Sequence, residues 1–209
     1  LQELKRLYHT WGKEMSERGG WSALFWNNHD QPSALNRFVD IKNFRNVGAT
    51  MLAASIHLSR GTPYTYMGEE IGMIDPDYDS MADYVDVESI NAYQMLLDQG
   101  KSPEQAFKII QAKSRDNSRT PMQWDASENA GFSTGTPWLK AGKSYKDINV
   151  ENEIDGPIFK FYKELIRLRK EMPIISEGSY QPAIEDSKQV SAFERHLDGQ
   201  NLLVLNNFY

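Results

Sequence analysis

Two places in this sequence set side chains able to do chemistry at the end of an apolar run. One is Asn28-His29-Asp30, which follows the run Trp21–Asn27 (Trp-Ser-Ala-Leu-Phe-Trp-Asn); the other is Glu69-Glu70, which follows Thr62–Met67. A His-Asp pair at the end of a buried aromatic strand costs desolvation energy unless it is satisfied or used. It is therefore either a hydrogen-bonded structural pair or a group that binds a ligand or stabilises charge. For Glu69 and Glu70 the structural reading leads, because neighbours on a strand point to opposite faces and at most one can enter a pocket. A third concentration, Arg115, Asp116 and Arg119, lies among Asn and Trp in a stretch without periodicity. It reads equally as a solvated charge cluster or as ligand-facing. The stripe Trp21, Phe25, Trp26 reads as core rather than as a binding surface.

Other chemistries are excluded by what is missing. With no cysteine there is no disulfide scaffold, no zinc–thiolate site and no thiol nucleophile, and a reducing, cytoplasmic compartment is expected. His9, His29, His57 and His196 lack the close spacing of metal-ligand pairs, so neither a metal nor a cofactor is expected. No nucleophile elbow is present to seat a Ser-His-Asp triad. The 23 Lys+Arg against 29 Asp+Glu give a net charge of −6, which argues against nucleic acid and against an acidic membrane face as partners. The longest apolar stretches, such as Met51–Ile56, are far short of a bilayer span. No charged-then-apolar leader opens the chain, and without a starting methionine the natural N-terminus is expected upstream.

The elements that must position these residues follow from periodicity. Leu4, Leu7, Tyr8, Trp11 and Met15 predict an amphipathic helix over Leu1–Glu17, stopped by Gly19-Gly20. Trp21–Asn27 predicts a buried strand, Asn43–Ser59 a helix, and Thr62–Met67 a second strand with Pro63 at its start. Helix, strand, polar loop, helix, strand, polar loop is the alternation of a parallel α/β structure, whose working residues gather at strand C-termini. Further on, a helix is predicted over Val87–Leu97 and another after Ser102, whose capping box has Pro103 at the first helical position and Gln105 reaching back. The acidic segment from Asp75 to Asp86 reads as solvated. Ser114–Ser144 is a long polar and aromatic loop, ordered by its apolar side chains and of a length that points to function. Ile158, Phe161, Leu165, Leu168 and Met172 mark a final helix ended by Pro173. After Gly178, Gln189–Arg195 and Asn201–Asn206 flank Asp198-Gly199 as an antiparallel hairpin.

The run Phe25-Trp26-Asn27-Asn28-His29-Asp30-Gln31-Pro32 resembles the fourth signature region of the α-amylase superfamily, glycoside hydrolase family 13. Gly61–Met73, Asp86-Val87-Glu88-Ser89 and Ser114–Trp124 are similar to blocks of the branch that holds oligo-1,6-glucosidases and trehalose-6-phosphate hydrolases. The resemblance covers nearly the whole chain. It implies the C-terminal part of a (β/α)8 TIM barrel over residues 1–177, with strands seven and eight at Ser22–Asn28 and Thr62–Met67 and an inserted region over 75–152. Residues 178–209 would then begin an antiparallel β-sandwich domain. The preceding strands, and with them the nucleophile and the general acid of a retaining glycosidase, would lie outside this chain.

Carried over residue by residue, the resemblance makes Asp30 the third acid, which steadies the transition state by gripping ring hydroxyls. His29 would bond the same hydroxyls, Arg115 would hold the far hydroxyl of the non-reducing glucose, and Glu88 would stand near the leaving-group side. The substrate would be a small α-glucoside: trehalose 6-phosphate, giving glucose and glucose 6-phosphate, or an isomalto-oligosaccharide. A non-catalytic barrel relative acting as a binding module is the alternative from another class. Two positions depart from the family. Ser33 stands where an arginine is usual, which would weaken the field at Asp30, and Thr65 replaces an aliphatic. By themselves the 209 residues are expected to be inactive and poorly stable, with a strand edge and apolar helix faces uncovered.

Overall fold

The computed structural model describes residues 1–209, folded as two compact units. The first comprises 1–26, 38–65 and 157–209; the second comprises 27–37 and 66–156. The C-terminal sheet packs with the helices of the first unit. No helix is long and apolar enough to cross a membrane.

In the first unit, helix α1 (Gln2–Glu17) packs on strand β3 (Ser179–Ala183). The predicted helix is present, but its buried side is not the predicted one. Lys5 and His9 are buried, whereas Leu7 and Trp11 are exposed. Lys5 is satisfied there because Nζ donates to the carbonyls of Ile184, Glu185 and Ser187, each at 2.9 Å. Leu7 and Trp11 instead line an apolar groove of about 360 Å3 with Trp21, Leu24 and Phe25. Trp21 and Phe25, each 49% exposed, are therefore wall rather than core.

Strands β1 (Ala23–Leu24) and β2 (Thr62–Pro63) pair in parallel as the alternation requires, with Ala23 opposite Thr62 and Leu24 opposite Pro63. Each is two residues long, against the seven and six residues expected. At the two ends of the ladder Thr62 N–H donates to Ser22 O at 2.8 Å and Tyr64 N–H donates to Leu24 O at 2.7 Å. With one partner strand apiece, nothing extends pairing beyond those bonds. Between them runs helix α3 (Ile41–His57), capped by Asp40 and distorted at Phe44. It packs on α7 (Pro157–Glu171), which buries Ile158, Tyr162 and Leu165 at helical spacing. Arg169 of α7 reaches back to the carbonyls of His57 and Ser59, 2.9 Å each, and to Gly61 O, fixing the turn into β2. Pro173 does not merely end α7; it opens the short helix α8 (Pro173–Glu177), where a missing N–H costs nothing.

Strands β3, β4 (Val190–Leu197) and β5 (Gln200–Asn207) form the antiparallel sheet expected after Gly178. Its hairpin turns at Asp198-Gly199, both with positive φ (48° and 78°), the twist a two-residue hairpin favours. The inner face carries Tyr180, Phe193 and Val204 against Leu58. Arg195 is fully buried and donates to the carbonyls of Ser179, Ile175 and Gly178; burial pulls its guanidinium down to about 10.

In the second unit, α4 (Val87–Asp98) and α5 (Pro103–Lys113) pack around Tyr78, Tyr84 and Ile110. The capping box at Ser102 forms as read: Ser102 Oγ accepts from Gln105 N–H, and Gln105 Oε1 accepts from Ser102 N–H. The long polar loop is ordered by 3-10 turns at Arg115–Ser118, Glu128–Gly131 and Lys143–Lys146. The acidic segment needs a correction. Asp77 and Asp79 are exposed and pair with Lys143, but Asp86 is buried, and burial pushes the Asp75 carboxyl up to about 6. Helix α2 (Ala34–Phe38), five residues long, is too short to have shown periodicity in the sequence.

Candidate active site

Residues 28–33 form a loop closed by side chains at its base. Asn27 Oδ1 accepts from Ala34 N–H at 2.6 Å while its Nδ2 donates to Glu69 at 2.5 Å. Inside the loop Asn28 Oδ1 accepts from Asp30 N–H at 2.8 Å, a turn that Asn forms readily, and Pro32 follows. At its far end Ser33 N–H donates to Asp75 Oδ1, and Asp75 N–H donates to Asn36 Oδ1, both at 2.9 Å. The loop is thus held at both ends, and the side chains of His29 and Asp30 are left outside, 69% and 50% exposed. His29 Nε2 stands 3.3 Å from Asp30 Oδ2.

The 3-10 turn after α5 supplies the cations. Ser114 Oγ accepts from Asp116 N–H at 3.2 Å and starts the turn. Arg119 then donates from Nε to His29 O at 2.7 Å and from Nη2 to Asp30 Oδ1 at 2.8 Å, while Ser118 Oγ donates to Gln31 O. Arg115 Nη1 lies 3.8 Å from the same Asp30 oxygen. The chief partner of Arg115 is Asp86, at the start of α4, which it meets as a fork: Nε to Oδ2 at 3.0 Å and Nη2 to Oδ1 at 2.6 Å. That hydrogen bonding holds the Asp86 carboxyl below the ordinary range despite its burial. Glu88, 70% exposed, comes within 3.2 Å of Arg115 Nε.

All four residues singled out from the sequence, His29, Asp30, Glu88 and Arg115, are therefore brought to one place. Two others there were not singled out for a role. In sequence Arg119 belongs to a charge cluster with two open readings, and the motif carries Glu88, two residues on, rather than Asp86 as a site residue. The signal for Asp86 was an Asp at a helix start; the structure shows that its carboxylate makes no capping bond and faces Arg115 instead. Glu69 and Glu70 take structural parts, Glu69 on Asn27 and Glu70 accepting from Gly68 N–H at 2.9 Å. The serine at position 33 does not leave Asp30 without cations, since Arg119 and Arg115 both face it. Chemically, a carboxylate and an imidazole side by side can grip adjacent hydroxyls, the carboxylate favours positive charge beside it, and the guanidiniums hold it in place. No three His, Asp or Glu side chains are grouped to hold a metal ion.

The family model of the alpha-amylase catalytic domain matches residues 1–178. A trehalose-6-phosphate hydrolase of Bacillus subtilis is 45% identical over 209 residues, covering 99% of this chain and 37% of its own length. An oligo-1,6-glucosidase of Halalkalibacterium halodurans is likewise 45% identical, covering 100% and 37%. The crystal structure of Bacillus licheniformis trehalose-6-phosphate hydrolase superposes with a TM-score of 0.96 at 48% identity, over all of this chain and 38% of that one. The chain thus spans about 37% of the length of the curated relatives it matches.

Proposed function

This chain belongs to the alpha-amylase family, and on that premise we propose that it is part of a retaining α-glucosidase, a trehalose-6-phosphate hydrolase that yields glucose and glucose 6-phosphate. In this reading residues 1–177 contribute the last part of a (β/α)8 barrel and 178–209 open a β-sandwich domain. The nucleophile and general acid come from segments of the whole protein outside these residues. The cysteine-free composition fits a cytoplasmic enzyme.

The observation that carries the reading is the exposed Asp30 carboxylate, flanked by His29 and backed by Arg119 and Arg115. As the glucosyl ring flattens toward an oxocarbenium ion, hydroxyl bonds to Asp30 and His29 tighten. The carboxylate also offsets the growing positive charge, so the stabilisation is larger in the transition state than in the ground state. Arg119 fixes the loop by holding His29 O and Asp30 together, and Asp86 aims Arg115. Glu88, on the exposed side of Arg115, faces the leaving-group side.

The equal identity to an oligo-1,6-glucosidase favours a second reading, hydrolysis of isomaltose-type ends. Steady-state kinetics of the full-length protein with trehalose 6-phosphate and with isomaltose separate the two. Preferred cleavage of the phosphorylated disaccharide is expected. Cleavage of isomaltose alone supports the second reading, and no hydrolysis of either points to a non-catalytic relative.

A further inference from the structure

Behind the two arginines lies a carboxylate that the mechanism does not use. Asp116 is 0% exposed. Its Oδ2 accepts from the backbone N–H groups of Val85 at 2.8 Å and Asp86 at 2.9 Å. Its Oδ1 has no hydrogen-bond partner and lies 3.9 Å from Arg119 Nη1. A buried carboxylate is costly unless its bonds repay it, so its place in the fold asks for a reason.

The bonds around it run toward the site. Asp86 carries the carboxylate that forks onto Arg115 and lies 3.7 Å from Arg119 Nη1, and those two arginines face Asp30. Ser114 Oγ, which accepts from Asp116 N–H, also meets Ser89 Oγ at 2.7 Å, so this bond too ties the first turn of α4 to the turn carrying Arg115. We propose that Asp116 is a positioning residue: by gripping the Val85-Asp86 backbone it sets the Asp86 carboxylate, which in turn orients Arg115 and Arg119 on Asp30. The clamp needs an acceptor oxygen at Oδ2, not a charge. Asparagine can supply that oxygen and alanine cannot.

For its activity readout this rests on the glucosidase reading. The test uses full-length protein with Asp116→Ala and Asp116→Asn, each alone and combined with Asp30→Asn. Asp116→Ala is expected to lower kcat/KM about 10- to 100-fold with the fold retained, while Asp116→Asn stays within about threefold of wild type. In the Asp30→Asn background, Asp116→Ala should cost little more, because both act at one place. A full, independent loss in that background overturns the proposal, as does an Asp116→Asn protein impaired more than about tenfold. Should Asp116→Ala not fold, the Asp116→Asn arm decides by the same limit. If the wild-type protein cleaves neither substrate, the glucosidase reading fails by itself. Crystal structures then judge the clamp: in Asp116→Ala, or in Asp116→Gln if alanine does not fold, a displaced Asp86 carboxylate and a broken Arg119–Asp30 bond support it. An unchanged cluster sinks it.

Discussion

Arg119 reads the loop of Asp30 twice, donating from Nη2 to the Asp30 carboxylate at 2.8 Å and from Nε to the carbonyl of His29 at 2.7 Å. One rigid guanidinium thus fixes both the carboxylate and the backbone beside it. A lysine at this position supplies a point charge on a flexible stem and cannot make both bonds in fixed geometry. Arg119→Lys in the full-length protein is expected to lower kcat/KM roughly 10- to 100-fold, the worth of one to two charged hydrogen bonds. Wild-type kinetics for that variant would show that the second bond is idle.

Asp30 itself should matter more. Asp30→Asn keeps the shape and removes the charge, so the loss falls on transition-state stabilisation. A fall in kcat of roughly two or more orders of magnitude is expected, with a much smaller change in KM. A raised KM with kcat unchanged would mean that Asp30 only binds.

Asp75 ties the far end of the same loop, and its ionisation carries a cost. Burial raises its carboxyl from 3.8 to about 6, so the folded state holds a proton that the unfolded state has released. Stability from this group is therefore complete below about pH 4, declines as pH rises to 6, and stays lower above it by roughly 3 kcal/mol. Asp75→Asn keeps the acceptor for Ser33 N–H without the charge. Thermal melts of wild type and variant should show the variant more stable at pH 8 and the gap closing near pH 4; a gap independent of pH contradicts this.

His57 behaves in the opposite sense. It is 4% exposed, Nδ1 has no partner, and burial, helped by nearby Arg169, lowers it to about 4. The unfolded state then takes up a proton before the folded one, so stability is full above pH 6.5 and drains as pH falls toward 4. Direct NMR titration of the His57 ring should show it neutral at pH 5.5, and a midpoint near 6.5 would disprove the burial effect.

Gly61 is the tightest backbone position of the parallel ladder. Its φ is 140°, and a Cβ there would collide with Ser22 O, a backbone atom that already accepts from Thr62 N–H. Gly61→Ala is expected to destabilise by about 2–3 kcal/mol, read as a lowered midpoint in urea. A midpoint like that of wild type would mean that the ladder shifts freely.

Much of this protein was written in local pattern. Residues such as Ile158, Leu165, Ser102 and Gln105 act through neighbours three or four positions away, so α7 and the capping box could be read directly, as could the hairpin at Asp198-Gly199. Residue types alone left His29 and Asp30 open between a structural pair and a ligand-binding one, and only the resemblance of the run Phe25–Pro32 to a family motif singled them out. Which face of α1 is buried, how short β1 and β2 are, and the pairing of Arg115 with Asp86 and of Arg119 with Asp30 depended on the tertiary structure. Those outcomes join residues 29 to 182 positions apart, and no spacing rule ranks one such partner over another. Lys5 is buried because three carbonyls from a distant turn converge on it, and Asp86 is chosen over Glu88 because Asp116 holds its backbone in place.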